Sequence, residues 1–188
     1  LIWKRYGEVE KNPAKRAYIK VQHGKMLRYE RRAFHDVKTV VAVSEADAAL
    51  AKNLYGSANL TVVENGVDAR RFATCARTPA SRELLFLGAL DWRPNVDAIH
   101  LLLDEIFPRV RAAVPGCSLM VVGRNPSQDL ARRIASVEGV KLHADVPDVL
   151  PYLGRCAAMA VPLRIGGGSR LKILEALAAG VPVVSSSV

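Results

Sequence analysis

The chain is short of cysteine and histidine and lacks long apolar runs, and each shortage closes off a class of function. Its 188 residues include three cysteines, Cys75, Cys117 and Cys156, odd in number, far apart and without C-x-x-C spacing. Disulfide frameworks and zinc sites need paired or closely spaced thiols, so reduced thiols in packing roles are expected, as in a cytoplasmic protein. His23, His35, His100 and His143 each stand alone, which predicts helix-surface or core roles and no catalytic imidazole. No uninterrupted apolar run approaches the roughly 20 residues of a membrane-spanning helix. The first residues, Leu1 to Tyr6, lack the order of a secretory signal, so export is not expected. Neither G-x-x-x-x-G-K-[ST] nor a G-x-G-x-x-G followed by an acid occurs, which removes kinase-type and dehydrogenase-type nucleotide sites. No Asp-x-Asp pair is present to hold a divalent ion against a diphosphate, so no metal and no resident cofactor are expected. Side-chain cations would have to take the metal's place at any bound diphosphate.

What the chain does contain is apolar residues, half of the total, and positive charge, a formal +9. That length and composition suit one sizeable core, expected as one domain with a piece of another. The charge is uneven, with 11 Lys and Arg against 4 Asp and Glu in residues 1–40. Such a segment reads either as a solvated helix face or as a peripheral contact with anionic headgroups at the inner face of the cell membrane. Nucleic acid is not an expected partner.

Asn12-Pro13 reads as a cap followed by proline at the first helical position, opening a long helix with a break near His23-Gly24. Val40–Val43 reads as a buried strand, Ser44 with Asp47 as the start of a helix ending at Gly56, and Leu60–Val63 as a second strand. Residues 69–82 are polar and aperiodic, the expected linker between an N-terminal piece, 1–68, and a second domain, 83–188. In that second domain short apolar runs alternate with helical patterns: strands at Leu84–Leu87, Ser118–Val122, Val140–Leu142, Ala157–Pro162 and Val181–Ser185, and helices near 94–113, 127–137, 148–153 and 169–179. Unbroken apolar strands each followed by a helix predict an α/β fold, a Rossmann-like parallel sheet with helices on both faces.

Ligands of such sheets sit beyond the carboxyl ends of the strands. Three strand ends carry suggestive chemistry and are expected to open onto one crevice: Gly88 with Arg93 and Asn95, Gly123 with Arg124, and the stretch from Arg164 through Gly166, Gly167 and Gly168 to Lys172. Three successive glycines suit a tight turn as well as a ligand loop. The amides of a helix starting at Ser169, with Arg170 and Lys172, would form an anion cradle. Lys172 and Glu175, three residues apart on one helix, suit a simple ion pair. A carboxylate on a helix otherwise expected to be buried suits a ligand better.

The run Pro162–Val184, together with Val41–Glu45, Asn65–Asp68 and Phe86–Asn95, resembles the group 1 (family 4) retaining glycosyltransferases, in particular their exopolysaccharide sugar transferases. The resemblance extends over residues 28–188. It implies a GT-B fold of two Rossmann-like domains, of which this chain would hold the C-terminal half and the end of the N-terminal domain, about half an enzyme with sequence missing at both ends. It also implies transfer of a sugar from a nucleotide diphosphate, the co-substrate, to a glycan or lipid-linked acceptor with retention of configuration. The family motif E-x7-E ends on Glu175, which would hydrogen-bond the donor ribose, and the backbone from Arg170 through Leu171 to Leu174 would hold the diphosphate. The first motif glutamate falls on Gly167, and the family's Arg/Lys pair after the first strand of this domain is replaced by Ala89 and Arg93-Pro94. Arg93, Arg170 and Lys172 are therefore expected to supply charge, and His143–Val146 to lie near the base. The catalytic groups remain unassigned. A nucleotide-sugar-binding or assembly subunit without turnover is the alternative, favoured by Gly167.

Overall fold

The computed structural model describes residues 2–56, 59–78, 81–165 and 169–187. They form two compact units, Leu1–Gly66 with Ile165–Arg170, and Val67–Arg164 with Leu171–Val188.

The first unit comprises α1 (Ile2–Val9), α2 (Pro13–Asp36), β1 (Val40–Ala42), α3 (Glu45–Tyr55) and β2 (Leu60–Val62), with β1 and β2 parallel. Asn12 caps α2 by accepting from the amides of Ala14 and Lys15 at 3.0 and 3.1 Å, and Pro13 follows where its missing N–H costs nothing. The expected break near His23-Gly24 is absent: α2 runs unbroken for 24 residues. One interior glycine costs a helix about 1 kcal/mol against alanine, too little to end a helix that tertiary contacts hold. Those contacts run to α3, where the Tyr55 hydroxyl donates to the Glu30 carboxylate and the Tyr55 ring lies 4.6 Å from that of Phe34. Burial and the Glu30 carboxylate push the Tyr55 hydroxyl up to about 12. Ser44 caps α3 by accepting from Asp47 N at 3.1 Å, and Gly56 ends it at φ +69°.

The second unit comprises α4 (Ala69–Ala73), β3 (Glu83–Leu87), α5 (Arg93–Leu101), a π-helical turn (Leu102–Ile106), α6 (Phe107–Ala113), β4 (Ser118–Gly123), α7 (Gln128–Ala135), β5 (Val140–Ala144), α8 (Leu150–Arg155), β6 (Ala158–Val161), α9 (Leu171–Ala178) and β7 (Val183–Ser185). The strands form one parallel sheet in the order β5-β4-β3-β6-β7. Successive connections run one way from β3 to β5 and the other way from β6 to β7. Right-handed crossovers therefore place the helices before and after the reversal on opposite faces. Four consecutive residues of β4, Leu119–Val122, are buried, as a strand covered on both faces requires. Around them pack Phe86, Ile99, Leu102, Phe107, Ile134, Leu153 and Met159.

Two expectations change here. The helix read over 94–113 contains the π turn, in which Phe107 N bonds to the Leu102 carbonyl five residues back. Pro108 explains it: with no N–H to return to the Asp104 carbonyl, proline disturbs the regular ladder, and a wider turn absorbs the mismatch. Residues 69–82, expected as a linker, contain α4, capped by Asp68, and bury Phe72 in the core. Thr78 N bonds to Gly154 O at 2.9 Å, and a Cβ on Gly154 would stand 2.4 Å from the Ala76 carbonyl, so this stretch lies packed on α8. The cysteines are free, and burial pushes all three thiols up.

Candidate functional site

The order of the five strands reverses between β3 and β6, the place where open parallel sheets bind ligands. Beyond the carboxyl end of β3 stands Asn95, the third residue of α5 and 6% exposed. Its Nδ2 donates to the Ala89 carbonyl at 2.9 Å, and its Oδ1 accepts from Lys172 Nζ at 3.0 Å. Lys172 comes from the first turn of α9, on the other side of the reversal, and its ammonium lies 5.2 Å from the centroid of the Phe86 ring. Gly88 admits this arrangement, since a Cβ there would stand 2.8 Å from both Asn95 Nδ2 and Lys172 Nζ.

The second strand end joins the first. Gly88 N bonds to Val122 O at 3.1 Å and Leu90 N to Arg124 O at 2.8 Å, while a Cβ on Gly123 would fall 1.8 Å from the Gly88 carbonyl. Gly88, Ala89, Val122, Gly123, Arg124 and Val146 line a pocket of about 200 Å³. At its rim Asn125 and Asp145 hold left-handed backbones, φ 56° and 52°. Asp145 Oδ1 accepts from Asn125 N, and Asn125 Nδ2 donates to Asp91 Oδ2, both at 3.0 Å. The third strand end is tied in through Arg164, whose guanidinium grips Asp97 of α5 with two bonds, 2.6 and 3.0 Å, and is held more firmly protonated by that hydrogen-bonded pair. The ends of β3 and β4 thus meet around Gly88, where Lys172 of α9 also arrives, while Arg164 after β6 is tied to α5.

Lys172 does reach this point, directed to Asn95. Glu175 lies half-buried one turn later in α9, and its carboxylate makes no hydrogen bond or ion pair among the described residues. The helix starts at Leu171, two residues later than expected, and exposes Leu171, Leu174 and Leu177 while burying Ala176. It is amphipathic and not the fully buried helix expected, because only the face carrying Ile173 and Ala176 meets the core. Arg93 is exposed at the first position of α5, and Arg124 is exposed at the pocket mouth. Ser169 and Arg170 are half-buried in the first unit, where Ser169 Oγ donates to the Val43 carbonyl at 3.2 Å. Gly166, Gly167 and Gly168 lie outside the described residues. No group of three or more His, Cys, Asp or Glu suited to a metal ion occurs among the described residues.

Phe86, the Ala89 carbonyl and Asp97 were not singled out in the sequence. Phe86 sits in an apolar strand and reads as core, and Asp97 meets Arg164 across 67 residues with no spacing to betray it. Asn125 and Asp145 carried a faint signal, as Asn and Asp are the side chains that best tolerate a left-handed backbone after a strand.

His143, expected near a base, lies on β5 with its ring 4.8 Å from that of Tyr152, and its Nε2 is buried without a hydrogen-bond partner among the described residues. Desolvation first, then Arg155 and Lys141, lowers its pKa below the ordinary 6.5. Below pH 6.5 the unfolded chain takes up a proton that the folded one resists, so stability is full above that pH and declines as pH falls through it. Urea midpoints between pH 5 and 8 should show this decline, and His143→Leu should flatten it; identical slopes in the two proteins would assign the dependence to other groups.

A family profile described as glycosyl transferases group 1 matches residues 81–188. Glycogen synthase of Mycobacterium tuberculosis is 35% identical over 142 residues, covering 71% of this chain and 33% of that protein. The GDP-mannose-dependent alpha-(1-6)-phosphatidylinositol monomannoside mannosyltransferase of the same organism is 32% identical over 152 residues, covering 70% of this chain and 39% of that one. The chain thus spans between a third and two fifths of these relatives. The crystal structure of the pneumococcal O-GlcNAc transferase GtfA in complex with UDP and GlcNAc superposes with a TM-score of 0.67 at 12% identity, over 85% of this chain and 32% of that one, a likeness of fold.

Proposed function

Since the chain belongs to the group 1 glycosyl transferases, with a fold akin to GT-B enzymes, we propose that its second unit binds the diphosphate of a nucleotide sugar at the carboxyl end of β3, for transfer of the sugar to a glycan or lipid-linked acceptor. The observation that carries this reading is Lys172: a helix on one side of the strand reversal delivers an ammonium to the glycine on the other. Positive charge fixed beside closely approachable backbone suits a phosphate, and the half-buried Glu175 carboxylate one turn on suits a ribose hydroxyl. Within the second unit Gly88, Arg93, Arg124 and the amides from Leu171, with Asn95 behind Lys172, complete the proposed donor site. Departure of a nucleotide diphosphate is assisted most by such fixed cations and amides, because they need no reorganisation as the leaving charge develops.

The reading is of a retaining, metal-independent enzyme of polysaccharide biosynthesis, working in the cytoplasm at the inner membrane face. The basic α2, which exposes Tyr18, Val21, Met26 and Tyr29, supports a peripheral contact with anionic lipid. Among the described residues no helix is long and apolar enough to cross a membrane.

Calorimetric titration with UDP, GDP and the matching monophosphates tests the donor site. At least one diphosphate should bind ten or more times tighter than its monophosphate, with the same affinity in EDTA; failure of both diphosphates to bind at millimolar concentration sinks the proposal. Glycine at 167 in place of the first motif glutamate favours a second reading, a nucleotide-sugar-binding subunit without turnover. Release of nucleoside diphosphate from labelled nucleotide sugars in the presence of lipid-linked acceptors separates the two.

A further inference from the structure

Resting on that donor site, we propose that Asn95 is a positioning residue: its buried carboxamide aims the Lys172 ammonium at the bound diphosphate and leaves the lysine's charge intact, without itself touching the nucleotide.

Asn95 is the one polar side chain among the described residues that is almost wholly buried. Its amide can face only one way. Nδ2 donates to the Ala89 carbonyl, an acceptor, and Oδ1 faces the Lys172 ammonium, a donor; turned over, donor would meet donor and acceptor would meet acceptor. The backbone beneath it is held as well, with Asn95 N bonded to the Trp92 carbonyl at 2.9 Å and Pro94 fixed just before it in the first turn of α5. The carboxamide is therefore a rigid acceptor on a rigid element.

Lysine is the opposite, a flexible stem that loses rotamer entropy when it is immobilised. Holding its Nζ at 3.0 Å from Asn95 and 5.2 Å from the Phe86 ring means that this entropy is already lost before an anion arrives. The chemistry of the acceptor matters too. An aspartate would hold the ammonium as well but would neutralise it and repel a phosphate. A carboxamide orients the ammonium by hydrogen bonding and, being neutral, adds no negative charge beside it.

The test uses Asn95→Asp, Asn95→Ala and Lys172→Met in the complete protein, with UDP and GDP as probes and folding checked by circular dichroism. Asn95→Asp should weaken binding of the diphosphate tenfold or more and Asn95→Ala about threefold to tenfold, with little change for the monophosphate. In parallel, lysines carrying ¹³C-methyl groups report Lys172 in the nucleotide-free protein, assigned through Lys172→Met. Its signal should be displaced by the Phe86 ring current in the wild type and return to the position of exposed lysines in Asn95→Ala. Unchanged affinities in both Asn95 variants while Lys172→Met binds poorly would overturn the role of Asn95 and leave the donor site standing. A wild-type Lys172 signal indistinguishable from exposed lysines would overturn it without any Asn95 variant, and failure of the wild type to bind either diphosphate would overturn the donor site and this role together.

Discussion

Alanine at position 123 is expected to cost the second unit a large part of its stability. The Gly123 Cα faces the Gly88 carbonyl so closely that an added Cβ would stand 1.8 Å from that oxygen and 2.9 Å from Leu90 Cγ. The obstacle is backbone, and no rotamer change removes it. The ends of β3 and β4 would have to part by more than 1 Å, and the hydrogen bonds on either side of the clash, Gly88 N to Val122 O and Leu90 N to Arg124 O, would break. Overpacking of about 1 to 3 kcal/mol and two lost hydrogen bonds at about 0.5 to 1.5 kcal/mol each give about 2 to 6 kcal/mol. A domain of ordinary stability holds only about 5 to 15 kcal/mol in total. Urea unfolding followed by circular dichroism measures it, and a loss below about 1 kcal/mol would mean that the two strand ends separate easily. Gly88 makes the contrast: there the added Cβ meets two side chains, Asn95 and Lys172, and not backbone, so the cost falls on their contact and not on the pairing of β3 with β4.

The largest expected effect on ligand binding is that of Lys172→Met. Methionine keeps the length and the apolar stem and deletes the charge. One lost charge-assisted contact is worth about 1.5 to 3 kcal/mol, so affinity for a nucleoside diphosphate should fall at least about tenfold. The loss should shrink as salt rises, because an ion pair at the mouth of a cleft is screened. The substitution also leaves the buried Asn95 Oδ1 without its donor, so some stability is expected to go with the affinity. Calorimetry at a temperature where both proteins are folded separates the two. Equal affinities for wild type and variant would show that Lys172 serves the fold alone and would remove the observation on which the proposed function rests.

Much of the second unit was legible as pattern. Unbroken apolar runs such as Leu119–Val122 announced strands covered on both faces, and the residues after them marked the loops at the carboxyl ends of the strands. Local chemistry was equally readable in the first unit, where Asn12-Pro13, Ser44 and Gly56 act as caps through bonds to residues no more than four positions away. Misreadings came where a local preference met a tertiary one. Gly24 did not break α2, because packing against α3 outweighs about 1 kcal/mol of propensity. Pro108 did not shorten its helix but widened it into a π turn, and residues 69–82, polar on average, were claimed for the core through Phe72.

The site divides along the same line. Residue types and periodicity by themselves determined that this protein would build a parallel α/β sheet with helices between its strands, since hydrophobic spacing and helix-end chemistry act over a few residues. Only the tertiary structure decided which cation faces which glycine: Lys172 reaches Asn95 and Gly88 across 77 and 84 positions of sequence, not the Glu175 carboxylate three residues along its own helix. Such meetings depend on the order in which strands assemble and on a missing Cβ at Gly88. Neither leaves a mark on the spacing of neighbouring residues.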